Sequence, residues 1–128
     1  MEQSLSAALM LLVLLQIKHC VADFYLQTPI MLKNRGAYLH VGRALHVSEH
    51  LIGSVIVLAV IGTAWLALAV IVLLEWVLHY HIDWGKGAWS DRAGHTPADG
   101  GFWRAMGFDQ MLHQFCYVAM LWAWLVYG

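Results

Sequence analysis

Long apolar runs separated by short polar segments dominate the sequence. The first run covers about residues 5–21, the last covers residues 108–127, and a third extends over residues 45–83. A helix needs about 20 apolar residues to cross a hydrocarbon core about 30 Å thick. As one helix the middle run would be roughly 58 Å long. It is therefore either one overlong helix centred on residues 51–74 or two helices that reverse near residues 62–63.

Basic residues favour the second arrangement. They lie on both sides of the middle run: Lys33, Arg35 and Arg43 before it, and Lys86, Arg92 and Arg104 after it. Cytoplasmic loops near membrane spans are enriched in Lys and Arg. A hairpin places both basic groups in the cytoplasm, whereas a single pass would separate them.

The pattern thus predicts an all-α integral membrane bundle of four short transmembrane helices with both termini outside the cytoplasm. The helices are expected at about residues 5–27, 44–61, 64–84 and 106–127. The glycine-rich segment at about residues 85–104 has no apolar period, and we expect a mobile cytoplasmic loop there.

Composition agrees with a membrane protein. The chain has 128 residues, of which 61% are hydrophobic and 12% charged, which is too apolar for an ordinary soluble domain. We expect one membrane domain over residues 1–128. The formal net charge of −1 gives no reason to expect a nucleic-acid partner. A cleaved signal peptide would need a basic first segment, and only Glu2 is charged there, so we expect the first helix to be retained.

Each predicted helix carries two ionisable residues four positions apart. The pairs are His19 and Asp23, His46 and His50, His79 and Asp83, and Asp109 and His113. This spacing puts both side chains of a pair on one helical face. With four antiparallel passes, all four pairs fall at the cytoplasmic ends of the helices. Eight candidate ligands would then form one polar layer.

Such a layer is suited to metal binding. Imidazole nitrogens and carboxylate oxygens together bind zinc, iron or manganese, and helical bundles build di-metal sites from such inward-facing side chains. The eight residues can serve two metals, or one metal with a hydrogen-bonded outer shell. One pair alone is more often a hydrogen bond between helices. Four pairs at one depth favour a functional site.

Neighbouring polar residues extend this layer. Glu75 and Lys86 follow the helical face of His79, and Lys86 can neutralise an anionic substrate group or pair with Asp83. His81 is expected to point away from the layer, and Gln110 is expected to face another helix.

Several short motifs resemble one membrane-protein family. "HCVADFYLQ", "HVSEH", "HYHID", "HIDWGK" and "DQMLH" resemble the bacterial family catalogued as domain of unknown function 3307. The matching positions are His19, Asp23, Gln27, Lys33, His46, His50, His79, Asp83, Lys86, Asp109, Gln110 and His113. The resemblance implies a shared fold and shared polar positions, and it implies no reaction. The glycine-rich segment after Lys86 departs from the pattern of this family.

The sequence leads to one main functional hypothesis and two alternatives. The main one is a metal-dependent enzyme of the bacterial inner membrane that hydrolyses a lipid-linked or amphipathic substrate. Its metal ligands would come from the eight paired residues, with Asp83, Lys86 and Asp109 catalytic. The first alternative is a non-catalytic accessory or assembly subunit of a larger membrane complex. Ion or proton conduction ranks last, because the polar residues stop about halfway through the bilayer.

Overall fold

The structure, a computed structural model, describes residues 5–128 and is helical. Over this range it contains four long helices and one short one: α1 (Leu5–Phe24), α2 (Pro29–Leu32), α3 (Val41–Val60), α4 (Trp65–Ala93) and α5 (Gly100–Tyr127). α4 packs between α3 and α5, and α1 packs against both α3 and α5. The four long helices therefore enclose one core.

The middle apolar run forms a hairpin. α3 ends at Val60 and α4 begins at Trp65, so the chain reverses within four residues. Gly62 has a φ of +83° in this turn, a conformation that glycine adopts without steric strain. The hairpin brings Arg35 and Lys86, one from each basic group, to the wall of the same cavity.

Three of the long helices can cross a membrane by length and composition: α1, α3 and α4. The sequence predicted four such helices, and α5 does not meet the requirement. Its 28 residues are long enough, but the first half carries Arg104, Asp109, Gln110 and His113, which lower its hydropathy. Large apolar side chains nevertheless cover the outside of the bundle. A soluble protein rarely exposes such a surface.

The expected loop over residues 85–104 is wrong, because α4 continues to Ala93 and α5 starts at Gly100. Gly87 is buried in α4, and a Cβ there would overlap the backbone carbonyl of Arg35. The Trp84 indole N–H donates a hydrogen bond to the Gly36 carbonyl at 3.2 Å. The glycine at position 87 thus allows close packing of two segments.

A short connection, residues 94–99, joins α4 to α5. Gly94 ends α4 with a φ of +65°. The Asp99 carboxylate, which precedes α5, accepts hydrogen bonds from the Thr96 backbone N–H at 2.7 Å and from its hydroxyl at 2.8 Å. These bonds lower the pKa of Asp99.

A buried arginine fixes the segment before α3. Arg43 is 4% exposed and donates hydrogen bonds to the carbonyls of Ala37 at 2.8 Å and Tyr38 at 3.0 Å, and also to that of Arg35. Its guanidinium lies 5.1 Å from the centre of the Tyr80 ring. These contacts hold residues 35–38 against α3 and α4, beside the polar end of the bundle.

Candidate metal centre

Five histidine rings meet at one level of the bundle. His19 comes from α1, His46 and His50 from α3, His79 from α4 and His113 from α5. Every one of the five is buried. The His79 ring lies 4.1 Å from both the His50 and the His113 ring, and His46 lies 4.8 Å from His50. The helical spacing of the pairs and the α3–α4 hairpin together produce this histidine cluster.

Asp23 binds one side of the cluster. Its carboxylate lies 2.9 Å from Nε2 of His50, 3.1 Å from Nε2 of His19 and 3.2 Å from Nε2 of His46. One carboxylate of α1 therefore meets histidines of α1 and α3. Three imidazoles therefore surround one carboxylate.

Asp83 lies on the other side of the cluster. Its carboxylate is 3.2 Å from Nε2 of His113, 3.5 Å from that of His79 and 3.7 Å from that of His46. Among residues 5–128, Oδ2 of Asp83 and Nε2 of His79 have no hydrogen-bond partner although both atoms are buried. Buried polar atoms are rarely left without a partner. These two atoms are available to a ligand.

Two groups of side chains have the spacing of metal ligands. The first is Asp23, His46, His50 and His79, and the second is His79, Asp83 and His113. Within each group the ligand atoms lie within 4.8 Å of one another. Ligand atoms of one tetrahedral zinc ion, each about 2.0–2.2 Å from it, lie roughly 3.3–3.6 Å apart. Side-chain movements of about 1 Å would therefore bring either group to ligand distance.

Two of the eight predicted residues lie beside these groups. Nδ1 of His19 is 2.8 Å from the Tyr117 hydroxyl and its Nε2 is 2.8 Å from Oε1 of Gln110, so both ring nitrogens are engaged. Asp109 is 3.9 Å from Nζ of Lys86 and accepts a hydrogen bond from Gln110 at 3.2 Å. The geometry favours the other six residues as ligands, with His19 and Asp109 bonded around them.

The sequence analysis missed Lys18, and it expected Gln110 to face another helix without placing it in the site. Lys18 forms a 2.6 Å ion pair with Glu75, with the side chains 6% and 2% exposed, and lies 3.4 Å from Nδ1 of His50. Lys18 is an ionisable residue inside an apolar run, and that signal alone marks it for attention. Gln110 faces the cluster, where it also donates a hydrogen bond to Asp23 at 3.2 Å. Its long side chain reaches the site from a position beside Asp109.

A polar cavity of about 470 Å³ opens onto the site; we call it the mouth cavity. Asp23, His46, Asp83 and Asp109 line its inner wall. Lys86 lines the same cavity, with its side chain 14% exposed. Water or a polar group can therefore reach the cluster both at Asp23 and at Asp83.

These features define a class: an all-helical bundle, with three helices able to cross a membrane, around a buried cluster of histidines and aspartates that can hold a metal ion. The chain belongs to the family described as "Protein of unknown function (DUF3307)", whose model matches residues 11–127. The resemblance found in the sequence is thereby confirmed, and the match includes all eight paired residues. Comparisons with curated proteins and with solved structures give no match. The family carries no assigned reaction.

Proposed function

We propose that this chain is an integral membrane protein that binds a divalent metal ion at the histidine cluster and catalyses hydrolysis there. The observation that carries the proposal is that two buried atoms of the cluster, Oδ2 of Asp83 and Nε2 of His79, lie 3.5 Å apart and have no hydrogen-bond partner among residues 5–128. A purely structural cluster would be expected to bring the two atoms into a hydrogen bond. Both residues belong to a group with ligand spacing, so a cation would satisfy both atoms.

The donor set indicates which ions fit. Imidazole and carboxylate ligands suit zinc, iron and manganese, whereas calcium and magnesium prefer oxygen alone. A bound ion of this kind supplies Lewis-acid activation of water. Asp109 borders both the cluster and the mouth cavity, which suits it to accept a proton. Lys86, in the same wall, suits an anionic group of the substrate.

The substrate class follows from the surroundings of the site. The cluster lies within a bundle whose outer surface is apolar, and the mouth cavity gives polar groups access to the cluster. A lipid-linked or amphipathic substrate could approach with its apolar part in the bilayer and its polar bond at the mouth cavity. We place the chain in a bacterial inner membrane, with the mouth cavity towards the cytoplasm.

We also propose that α5 lies in the bilayer beside α1 and α4 as a fourth pass. An exposed apolar stripe supports this: Phe108, Met111, Phe115, Val118 and Trp122. The three-to-four-residue spacing of the stripe places it on one face of the helix. The polar residues that lower the hydropathy of α5 lie largely on its other face, towards the cluster.

Elemental analysis of detergent-purified protein tests the metal site. The wild type should retain zinc, iron or manganese, or bind one of them when it is added. His79→Gln should lose it, because His79 belongs to both ligand groups. His81→Gln is the matched control, since His81 lies on the same helix, is exposed and bonds to the Val77 carbonyl at 2.7 Å.

Two outcomes would reject the metal site. One is a wild type that binds none of the three metals. The other is equal metal loss in His79→Gln and His81→Gln.

His113→Gln removes a ligand from the second group only, so it should keep one ion if the wild type holds two. Far-ultraviolet circular dichroism and gel filtration must show that each variant is folded.

Hydrolysis is tested separately, with metal-loaded protein and a panel of ester and phosphoester lipids in mixed micelles. Turnover should be lost in Asp109→Asn while the metal is retained. No turnover across the panel by a metal-loaded protein would count against the enzyme and for the alternative below.

The alternative is a non-catalytic accessory or assembly subunit of a larger membrane complex. The bonds of Asp23 favour it, because one carboxylate of α1 pins His46 and His50 of α3. A metal would then serve stability alone. Chelation should lower the unfolding temperature, and a defined partner should co-purify with the wild type.

A further inference from the structure

A groove of about 880 Å³ lies between α4 and α5, beside the mouth cavity. Most of its wall is apolar, including Leu78, Ile82, Trp89, Phe108 and Leu112. We call it the α4–α5 groove. Its volume is within the range of about 300–1,000 Å³ typical of ligand pockets.

The polarity of the groove changes along its length. Leu78 lies in the half of α4 that follows the α3–α4 turn, and Trp89 lies 11 residues later, about 16 Å along the helix axis. α4 has 29 residues and is about 43 Å long, so one end must extend beyond a hydrocarbon core about 30 Å thick. Lys86 and Arg104 line the groove towards that end. The apolar part thus lies at the depth of acyl chains and the basic part at the depth of headgroups.

The two basic side chains have unused hydrogen-bond donors. Among residues 5–128, Nζ of Lys86 contacts Sδ of Met106 at 3.4 Å and the Asp109 carboxylate at 3.9 Å, although an ammonium has three N–H groups. In the same range no hydrogen bond or ion pair engages the Arg104 guanidinium. Asp109 is the one acidic residue among the described groove residues, and it faces Lys86. The basic end of the groove therefore carries an excess positive charge.

We propose that the α4–α5 groove binds a phospholipid with an anionic phosphate headgroup. One acyl chain lies between Leu78, Phe108 and Leu112, and the phosphate accepts hydrogen bonds from Lys86 and Arg104. Basic pockets between membrane helices bind lipid headgroups in this way, and a guanidinium matches two phosphate oxygens.

The groove connects this lipid to the candidate metal centre. Lys86 and Asp109 line both the groove and the mouth cavity, so a phosphate on Lys86 lies at the border of the two. That the bound lipid is a substrate rests on the proposed function. The binding itself depends only on the groove.

Fluorescence titration of the full chain in detergent micelles tests the binding. The probe is phosphatidic acid with brominated acyl chains, which quench nearby tryptophans, and the comparison lipid is phosphatidylcholine with the same chains. Phosphatidic acid should quench the wild type at lower concentrations than phosphatidylcholine does, because it binds more tightly. Arg104→Gln and Lys86→Gln should each weaken binding about tenfold, the effect of one lost hydrogen bond to a charged group.

Arg92→Gln is the matched control. Arg92 is an exposed arginine in the last turn of α4 that lines neither cavity, so its loss should leave the affinity unchanged. Equal affinity for both lipids, or equal weakening in Arg92→Gln and Arg104→Gln, would overturn the inference. If inorganic phosphate competed with the brominated lipid as strongly as unlabelled phosphatidic acid does, the proposed binding of an acyl chain in the groove would be overturned.

Metal content measured on the same samples separates the two proposals. Selective lipid binding by a chain that binds no metal supports the groove and defeats the proposed enzyme. Metal binding without lipid selectivity supports the metal centre and overturns the proposed lipid groove.

Discussion

The buried ion pair of Lys18 and Glu75 permits a quantitative prediction. The two charged atoms are 2.6 Å apart, in side chains that are 6% and 2% exposed. At an effective dielectric constant of about 20, the Coulomb attraction at this distance is about 6 kcal/mol, and desolvation of both groups offsets much of it. Removing one partner leaves the other charge buried, which costs about 3–5 kcal/mol.

The perturbation is Glu75→Leu, alone and together with Lys18→Met. Lys18 keeps its contact with Nδ1 of His50 at 3.4 Å and lies 4.7 Å from the centre of the Tyr117 ring. We therefore expect Glu75→Leu to destabilise the protein by about 3 kcal/mol, the lower end of the range. The double variant should recover most of this loss, because apolar residues of similar volume can replace a buried pair at little cost.

The assay is unfolding by sodium dodecyl sulfate in mixed micelles, followed by circular dichroism for the wild type, Glu75→Leu and the double variant. Lys33→Met is the control, since Lys33 is exposed, and its effect should be within about 0.5 kcal/mol. A Glu75→Leu variant within about 1 kcal/mol of the wild type would refute the cost of the unpaired lysine. A double variant as unstable as Glu75→Leu would refute it as well.

Three further predictions concern packing and topology. Gly87→Ala should destabilise the protein by about 1–3 kcal/mol, because the new Cβ meets the Arg35 carbonyl. Gly85→Ala has open space around its Cβ and should stabilise α4 by about 0.5–1 kcal/mol. Equal shifts in the free energy of unfolding for the two variants would contradict this. Arg43→Met should remove the hydrogen bonds to the Arg35 and Ala37 carbonyls and make residues 35–38 susceptible to proteolysis; an unchanged digestion pattern would argue against that role. A reporter enzyme active only outside the cytoplasm should be active when fused at Gly128 and inactive when inserted in residues 94–99, and the opposite pattern would refute the four-pass topology.

The meeting of the paired side chains follows from features that a sequence displays directly. The i, i+4 spacing fixes the face of each helix, and the reversal near Gly62 sets the relative direction of α3 and α4. Those two local properties suffice to bring His46, His50 and His79 to one level. Helical periodicity carries this information without any knowledge of tertiary contacts.

The remaining features depend on contacts between distant segments. Residues 85–93 contain two glycines and no apolar period, which is typical of a loop, yet Gly87 packs against Arg35, some fifty residues earlier in the chain. The separation of His19 from the ligand groups likewise arises from Tyr117 and Gln110 on another helix. No local pattern could predict either contact.

The position of His79 has a consequence for how many ions the cluster can hold. Its ring lies 4.1 Å from the rings on both sides, His50 and His113, and it belongs to both ligand groups. An imidazole has two nitrogens, and in its neutral form one of them carries a proton. To serve two ions at once the ring must give up that proton and bridge them; otherwise it binds one ion, and the other group has one ligand fewer. The ionisation of this one side chain therefore determines whether both groups can have all their ligands at the same time.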